Sequence, residues 1–291
     1  TNAGTITSAG TTSVGVLFKP AATLGAGAVL GNTGNITLGN SSVGLYGEST
    51  ATNYTTSNSG NITVGQNGIG MFGYASDVTG GTITVGDKGV AIYGHNNGYG
   101  DTTISNTGTI KAKDNSTGVY GIYAKNDKTN YTKATSTINN SGNIDLSNAK
   151  SSVGIYTENS ALTSSGNISV GKNGVGIRNV KSIATLTKGD INAASGIGVL
   201  AEDSTLKTSA NINVSDNGIA VSTKNSDIEV TAGTYNINKS IAFKISDLGN
   251  KTFKGNAGTI NLGDSSIAYY VKNSNITPSN FIDKLTVNST G

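Results

Sequence analysis

Along the chain, apolar residues alternate with polar ones over four or five positions and then stop at Gly, Asn or Ser. That is the period of a half-buried strand, and the glycine density excludes a helical reading. One phrase returns throughout: glycine, Asn or Thr, Ile, a polar residue, then Val or Leu. It reads Gly34-Asn35-Ile36-Thr37-Leu38, Gly60-Asn61-Ile62-Thr63-Val64, Gly81-Thr82-Ile83-Thr84-Val85 and Gly142-Asn143-Ile144-Asp145-Leu146. Further copies begin at Gly4, Gly108, Gly166, Gly189, Ala210, Gly233 and Gly258. A second phrase follows each copy after a short turn, as in Val43-Gly44-Leu45-Tyr46, Ile69-Gly70-Met71-Phe72, Val90-Ala91-Ile92-Tyr93 and Val153-Gly154-Ile155-Tyr156. A third, weaker strand precedes the first phrase and carries Leu162, Leu186, Leu206, Ile228 and Val230, or Phe253.

Successive copies of the first phrase lie about 25 residues apart, which fits one coil of a three-sided solenoid. The pattern therefore predicts an all-β fold: one continuous right-handed parallel β-helix over residues 1–291, three strands per coil and about eleven coils. Its rod would be on the order of 50 Å long at a strand spacing of ~4.8 Å. Ile36, Leu38, Val43 and Leu45, with their equivalents such as Ile168 and Val175, are expected to point inward, each burial contributing at most about 1.5 to 3 kcal/mol. Asn35, Asn61, Asn143, Asn167 and Asn211, with Asp190, share a slot read as a corner that tolerates left-handed backbone and forms a hydrogen-bonded ladder.

Composition adds mainly exclusions. The chain has 41 glycines, no cysteine, one histidine and a net charge of +3, with 13% charged residues. Disulfides and thiolate metal sites are absent, and the single His95 cannot supply a zinc set. Arg178 is the sole arginine, so there is no clustered basic footprint for nucleic acid. No apolar run approaches the ~20 residues of a membrane helix. The 17 acidic residues are scattered, with none at a constant repeat slot, so no row of paired carboxylates assembles. The expectation is a scaffold and not an enzyme, with no cofactor and no metal. Asn-Ile-Thr and Lys188-Gly189-Asp190 match glycosylation and integrin-type motifs, but both arise from ordinary repeat slots. A threonine row of the ice-binding kind is interrupted at Asp145, Asn192 and Asn213.

The paired phrases Gly-Asn-Ile-Thr-Val-Gly and Val-Gly-Ile-Tyr-Gly, with Asn/Ser/Thr-rich inserts, resemble the passenger regions of large type V autotransporter adhesins of the fusobacterial kind. The similarity covers nearly the whole chain. It implies an extended, monomeric β-helix exported to the bacterial cell surface or outer membrane, or released after cleavage, and used for adhesion to host or bacterial surface proteins or glycans. The passenger itself would not insert into a membrane. Both ends fall in repeat register, as an excised segment would, and Ser279 to Leu285 could form one short helical turn beside the last coil. A passive stalk and a vacuolating-type toxin passenger are the alternative readings.

Irregular spacing points to the functional edge. Extra residues follow the second phrase each time, in the ranges 47–60, 94–107 and 121–141, so the inserts should line one edge of the rod. Beside them an outward column is expected at Tyr46, Phe72, Tyr93, Tyr123 (or Tyr120 in the other register) and Tyr156. With Tyr54, His95, Tyr99 and Tyr131 from the inserts, these are the candidate binding residues. Beyond Arg178 the column turns aliphatic or polar, at Leu200, Ser222 and Lys244. Ser204 and Lys224 are expected to be exposed polar corner positions.

Overall fold

The computed structural model describes the chain except for residues 20–27, 48–53, 74, 79–80, 97–101, 127–135, 283 and 288–291. It is a right-handed parallel β-solenoid in which the described residues form three sheets of twelve, eleven and ten strands. The first-phrase strands form the twelve-stranded sheet, the second-phrase strands the eleven-stranded sheet and the third strands the ten-stranded sheet. We call these sheets one, two and three. Ten coils carry a strand in all three sheets, and sheets one and two continue with further strands, so the complete coils are slightly fewer than eleven.

Register follows the repeat residue for residue. On sheet one, Ile36, Ile62, Ile83, Ile110, Ile144 and Ile168 stack as direct partners. All six are fully buried or nearly so. Sheet two adds Leu45, Met71, Ile92, Ile122, Ile155 and Ile177 to the same core, and sheet three adds Ile104, Ile138, Leu162, Leu206 and Ile228. Among the described residues the isoleucine column on sheet one gives way to Tyr235 and, beyond Ile260, to Leu285.

Sheet two departs from simple alternation. In Val43–Gly47 the glycine and the following leucine are both buried while Val43 is half-buried. The ladder pairs Val90 with Tyr120 and Ile92 with Ile122 but skips the residue between them. The strand therefore kinks at its second position, turning both Gly44 and Leu45 toward the axis. Val43 and Val175 consequently face outward, which corrects their assignment to the interior, whereas Ile168 is buried as expected.

The left-handed corners also differ from expectation. Asn35 and Asn61 lie within extended strands, and the left-handed residues other than glycine occupy two other columns. One follows the first phrase and includes Asn67 (φ 53°), Lys88 (φ 53°) and Asn173 (φ 57°). The other follows the second phrase and includes Asn159 (φ 52°), Lys181 (φ 47°) and Asp203 (φ 50°). The Asn35 slot does form the expected ladder, since Asn61 Nδ2 donates to Asn35 Oδ1 at 2.9 Å and Asn211 Nδ2 to Asp190 Oδ1 at 2.9 Å.

Near residue 280 a 3-10 turn spans Pro278–Asn280, and Leu285–Val287 is a strand paired with Thr259–Leu262. The turn brings Phe281 onto Tyr269, with ring centroids 4.2 Å apart, and buries Ile282. The Ile282 amide donates to Tyr269 Oη at 2.8 Å. The helical turn expected over Ser279 to Leu285 is thus shorter and lies earlier, since Leu285 already belongs to a strand of sheet one.

Candidate functional site

The outward column on sheet two is a consequence of register. Five successive second phrases carry an aromatic residue two places after the kinked glycine or alanine, and parallel in-register pairing sets these residues directly above one another. Tyr46 pairs with Phe72, Phe72 with Tyr93, Tyr93 with Tyr123, and Tyr123 with Tyr156. The register thus places Tyr123, and not Tyr120, in the column.

The five rings stack nearly parallel. Centroid separations are 4.8, 5.3, 5.2 and 4.8 Å, with interplanar angles of 4°, 15°, 11° and 9° from Tyr46 to Tyr156. All five residues are half-buried. Tyr120 packs edge-on against Tyr123 and Tyr156, at 5.5 and 6.3 Å. Because each ring covers the face of the next, the column presents ring edges and phenol hydroxyls to solvent. A ligand that needs an open aromatic face does not find one within it.

At Tyr156 the column meets charge. Arg178 follows in register, its guanidinium 5.8 Å from the Tyr156 centroid, and its Nη2 lies 3.3 Å from Glu202 Oε2. The Tyr156 hydroxyl donates to Glu158 Oε2 at 2.8 Å, and Lys125 Nζ lies 3.2 Å from the same oxygen. Burial pushes the Tyr156 phenol well above its ordinary range, and the hydrogen bond to Glu158 and its negative charge add to the effect. Tyr123 is raised as well, by burial first and then by Tyr93. Leu200, Ser222 and Lys244 continue the register past Arg178.

Of the insert residues, Tyr99 and Tyr131 lie outside the described residues. Tyr54 and His95 are placed by backbone only, Tyr54 opening a strand of sheet three and His95 pairing with Lys125 on sheet two. The ranges 47–60, 94–107 and 121–141 each contain a strand of sheet three, at Tyr54–Asn58, Thr102–Asn106 and Ser136–Asn140. Among the described residues no group of three or more His, Cys, Asp or Glu side chains could hold a metal ion, and no helix is long and apolar enough to cross a membrane.

No known family model matches the chain, and neither a curated protein nor a solved structure is significantly similar to it. The functional reading therefore rests on the residues themselves.

Two features escaped the sequence reading. One is a buried amide ladder on sheet three, where Asn32 Nδ2 donates to Asn58 Oδ1 at 2.8 Å and Asn106 Nδ2 to Asn140 Oδ1 at 2.8 Å. Its signal was present as Asn-Thr/Ser-Gly, at Asn32, Asn58, Asn106 and Asn140, just before the first phrase. The other is a hydroxyl ladder at a corner: the Ser160, Ser182 and Ser204 amides donate to the hydroxyls of Ser182, Ser204 and Ser226 at 3.0 to 3.1 Å. Ser204 is thus buried and structural, which corrects its reading as an exposed corner, while Lys224 is exposed.

Proposed function

We propose that the chain is an adhesive segment of a β-helical passenger, of the type V autotransporter kind found in fusobacteria. It would be displayed at the bacterial surface and bind a host or bacterial surface protein or glycan along the aromatic edge of sheet two. The repeat phrases support this reading, as does the continuous solenoid they build. The observation that carries it is the unbroken stack of five rings on successive coils, after which the same slot holds Arg178, Leu200, Ser222 and Lys244 before a single tyrosine returns at Tyr270. A ladder needed only for stability would have no reason to stop there. The partner would meet hydroxyls and ring edges, flanked by Lys125, Glu158 and Arg178, a mixture suited to hydrogen-bonding ligands.

The test replaces Tyr46, Tyr93 and Tyr123 together by leucine. Leucine occupies the same slot at Leu17 and Leu200, so the coil accepts it. Attachment of the purified chain to cells and to glycan arrays is then compared with a control carrying Lys188→Ser and Lys224→Ser, both exposed. Loss of attachment by the leucine variant alone, with an unchanged β-type circular dichroism spectrum, supports the adhesive reading. Equal attachment by both would favour the stalk, whose regularity is best developed in residues 161–262, where the strands recur with short connections.

A further inference from the structure

Four tyrosines, Tyr93, Tyr120, Tyr123 and Tyr156, sit together on sheet two, and one of them has a carboxylate on its hydroxyl. Tyr123 and Tyr156 are the closest parallel tyrosine pair of this group, 4.8 Å apart at 9°. They belong to adjacent coils and are direct ladder partners, so their hydroxyl-bearing ends lie side by side. We propose that this pair is a site of oxidative modification, in which one-electron oxidation joins Tyr123 to Tyr156 as a dityrosine staple between neighbouring coils, with Glu158 taking the proton from Tyr156.

The chemistry balances with a peroxide and a haem peroxidase as oxidant. Each phenol gives one electron to the oxidised haem and one proton to a base, so two tyrosyl radicals form and the peroxide is reduced to two waters. For Tyr156 the base is in place, since Glu158 Oε2 already accepts its hydroxyl hydrogen at 2.8 Å and is held there by Lys125 at 3.2 Å. Loss of an electron makes a phenol strongly acidic, so the proton moves to Glu158 as the electron leaves, and Glu158 then releases it to water. The Tyr123 proton goes to solvent. The two radicals couple through the carbons beside their hydroxyls, forming one carbon–carbon bond, and each ring returns to a phenol by moving its displaced hydrogen to oxygen.

The rest of the column is less suited. Phe72 has no hydroxyl and separates Tyr46 from the others. Tyr120 meets Tyr123 at 83°, which keeps the coupling carbons from facing each other. Tyr93 stacks on Tyr123 at 5.2 Å and can form a slower second link, which serves as an internal reference.

The experiment treats the whole chain, at low concentration, with hydrogen peroxide and a plant peroxidase, then separates monomer and maps cross-links by mass spectrometry. The expected product is a monomer lacking two hydrogens, with dityrosine fluorescence and its main link between Tyr123 and Tyr156. Y156F keeps a ring in the stack and should abolish that link, and Y123F should do the same from the other side, so a folding failure in one variant leaves the test intact. E158Q retains an acceptor oxygen but no base, and should slow the Tyr123–Tyr156 link about tenfold or more while leaving the Tyr93–Tyr123 link unchanged. Cross-links formed chiefly between chains, or spread over other exposed tyrosines such as Tyr270, would overturn the proposal. An E158Q rate equal to that of the unaltered chain would overturn it too.

Discussion

Tyr123 and Tyr156 lie on successive coils with their rings 4.8 Å apart and 9° from parallel. Ordinary parallel pairing produces this relationship, because the strand spacing of ~4.8 Å is close to the separation at which aromatic rings stack. An aromatic residue repeated at one outward slot therefore becomes a continuous column without any further design. The column contributes stability as stacked pairs, roughly 0.5–1.5 kcal/mol each beyond burial, and presents hydroxyls at fixed intervals. Both roles coexist because the ring faces serve the first and the edges the second.

Charge introduced at the axis should separate inward from outward positions. Ile168 is fully buried and Val175 half-buried, although both belong to apolar strand positions. Ile168→Asp should cost more than about 4 kcal/mol, since an unpaired carboxylate cannot be solvated there. Val175→Asp, facing solvent, should cost about 1 to 2 kcal/mol. Denaturant unfolding of the two variants checks this, and equal losses would mean that the kinked geometry of sheet two is wrong.

The architecture was legible because register and burial follow from a repeated phrase: Ile36, Ile62 and Ile83 can only stack if each coil closes at the same length. The aromatic column was legible for the same reason, from the recurrence of Tyr46, Phe72, Tyr93 and Tyr156 at one slot. Val43 was not, because Val-Gly-Leu reads as strict alternation, whereas the chain kinks at Gly44 and sends two successive residues inward. Asn58 and Asn106 escaped because asparagine before Ser-Gly or Thr-Gly reads as a surface turn. Their burial depends on partners one coil away, about 26 or 34 residues along the chain, and such pairing shows only when coils are superimposed.

Those internal amides should be costly to remove. Asn58 accepts from Asn32 at 2.8 Å and donates to the Gly60 carbonyl at 3.0 Å, wholly buried. Asn58→Ala removes both bonds and takes from the buried Asn32 amide one of its two acceptors, leaving it the Gly34 carbonyl, and should destabilise by about 2 to 3 kcal/mol. Asn61→Ala removes an exposed ladder bond and should stay within about 0.5 kcal/mol. The midpoints of thermal unfolding should differ accordingly.

Stability should fall at both extremes of pH, for identifiable groups. Burial raises the phenols of Tyr156, Tyr123 and Tyr235 above their ordinary value of 10.0. A raised folded value means that the folded state holds the proton more tightly, so this contribution is intact below about pH 10 and is lost as pH climbs toward the raised values. Asp227 moves the other way. Burial alone would raise it, but hydrogen bonds from the Thr252 amide, Lys251 and the Thr252 hydroxyl outweigh that and lower it from 3.8. Its contribution is present above the ordinary value and disappears as pH falls through the lowered one. Y156F should flatten the alkaline decline and D227N the acid one, measured as unfolding free energy against pH.

Two glycines that look alike in the repeat should respond differently to alanine. At Gly166 an added Cβ would run into the carbonyl oxygen of Gly142, one coil below, and the carbonyl carbon of Ser141 lies 2.9 Å away. Both obstacles are backbone, and the same approach recurs at Gly60 over Gly34 and at Gly142 over Gly108, so no side chain can move aside. Alanine fills that slot once, at the buried Ala210, but there it lies over Gly189, whose left-handed backbone (φ 86°) Gly142 does not share, so Gly166→Ala should part the coils locally and cost about 3 kcal/mol or more. At Gly154 the new Cβ would lie 2.5 Å from the Gly176 carbonyl oxygen and 2.6 Å from a methyl of Ile168, which appears equally forbidding. Yet alanine occupies that kinked slot at Ala91, Ala220 and Ala242, each fully buried, so the strand accommodates a methyl by a small shift. Gly154→Ala should cost no more than about 1 kcal/mol. Urea titration of both variants decides the matter: similar losses would show that the close approach at Gly166 is not what requires glycine there.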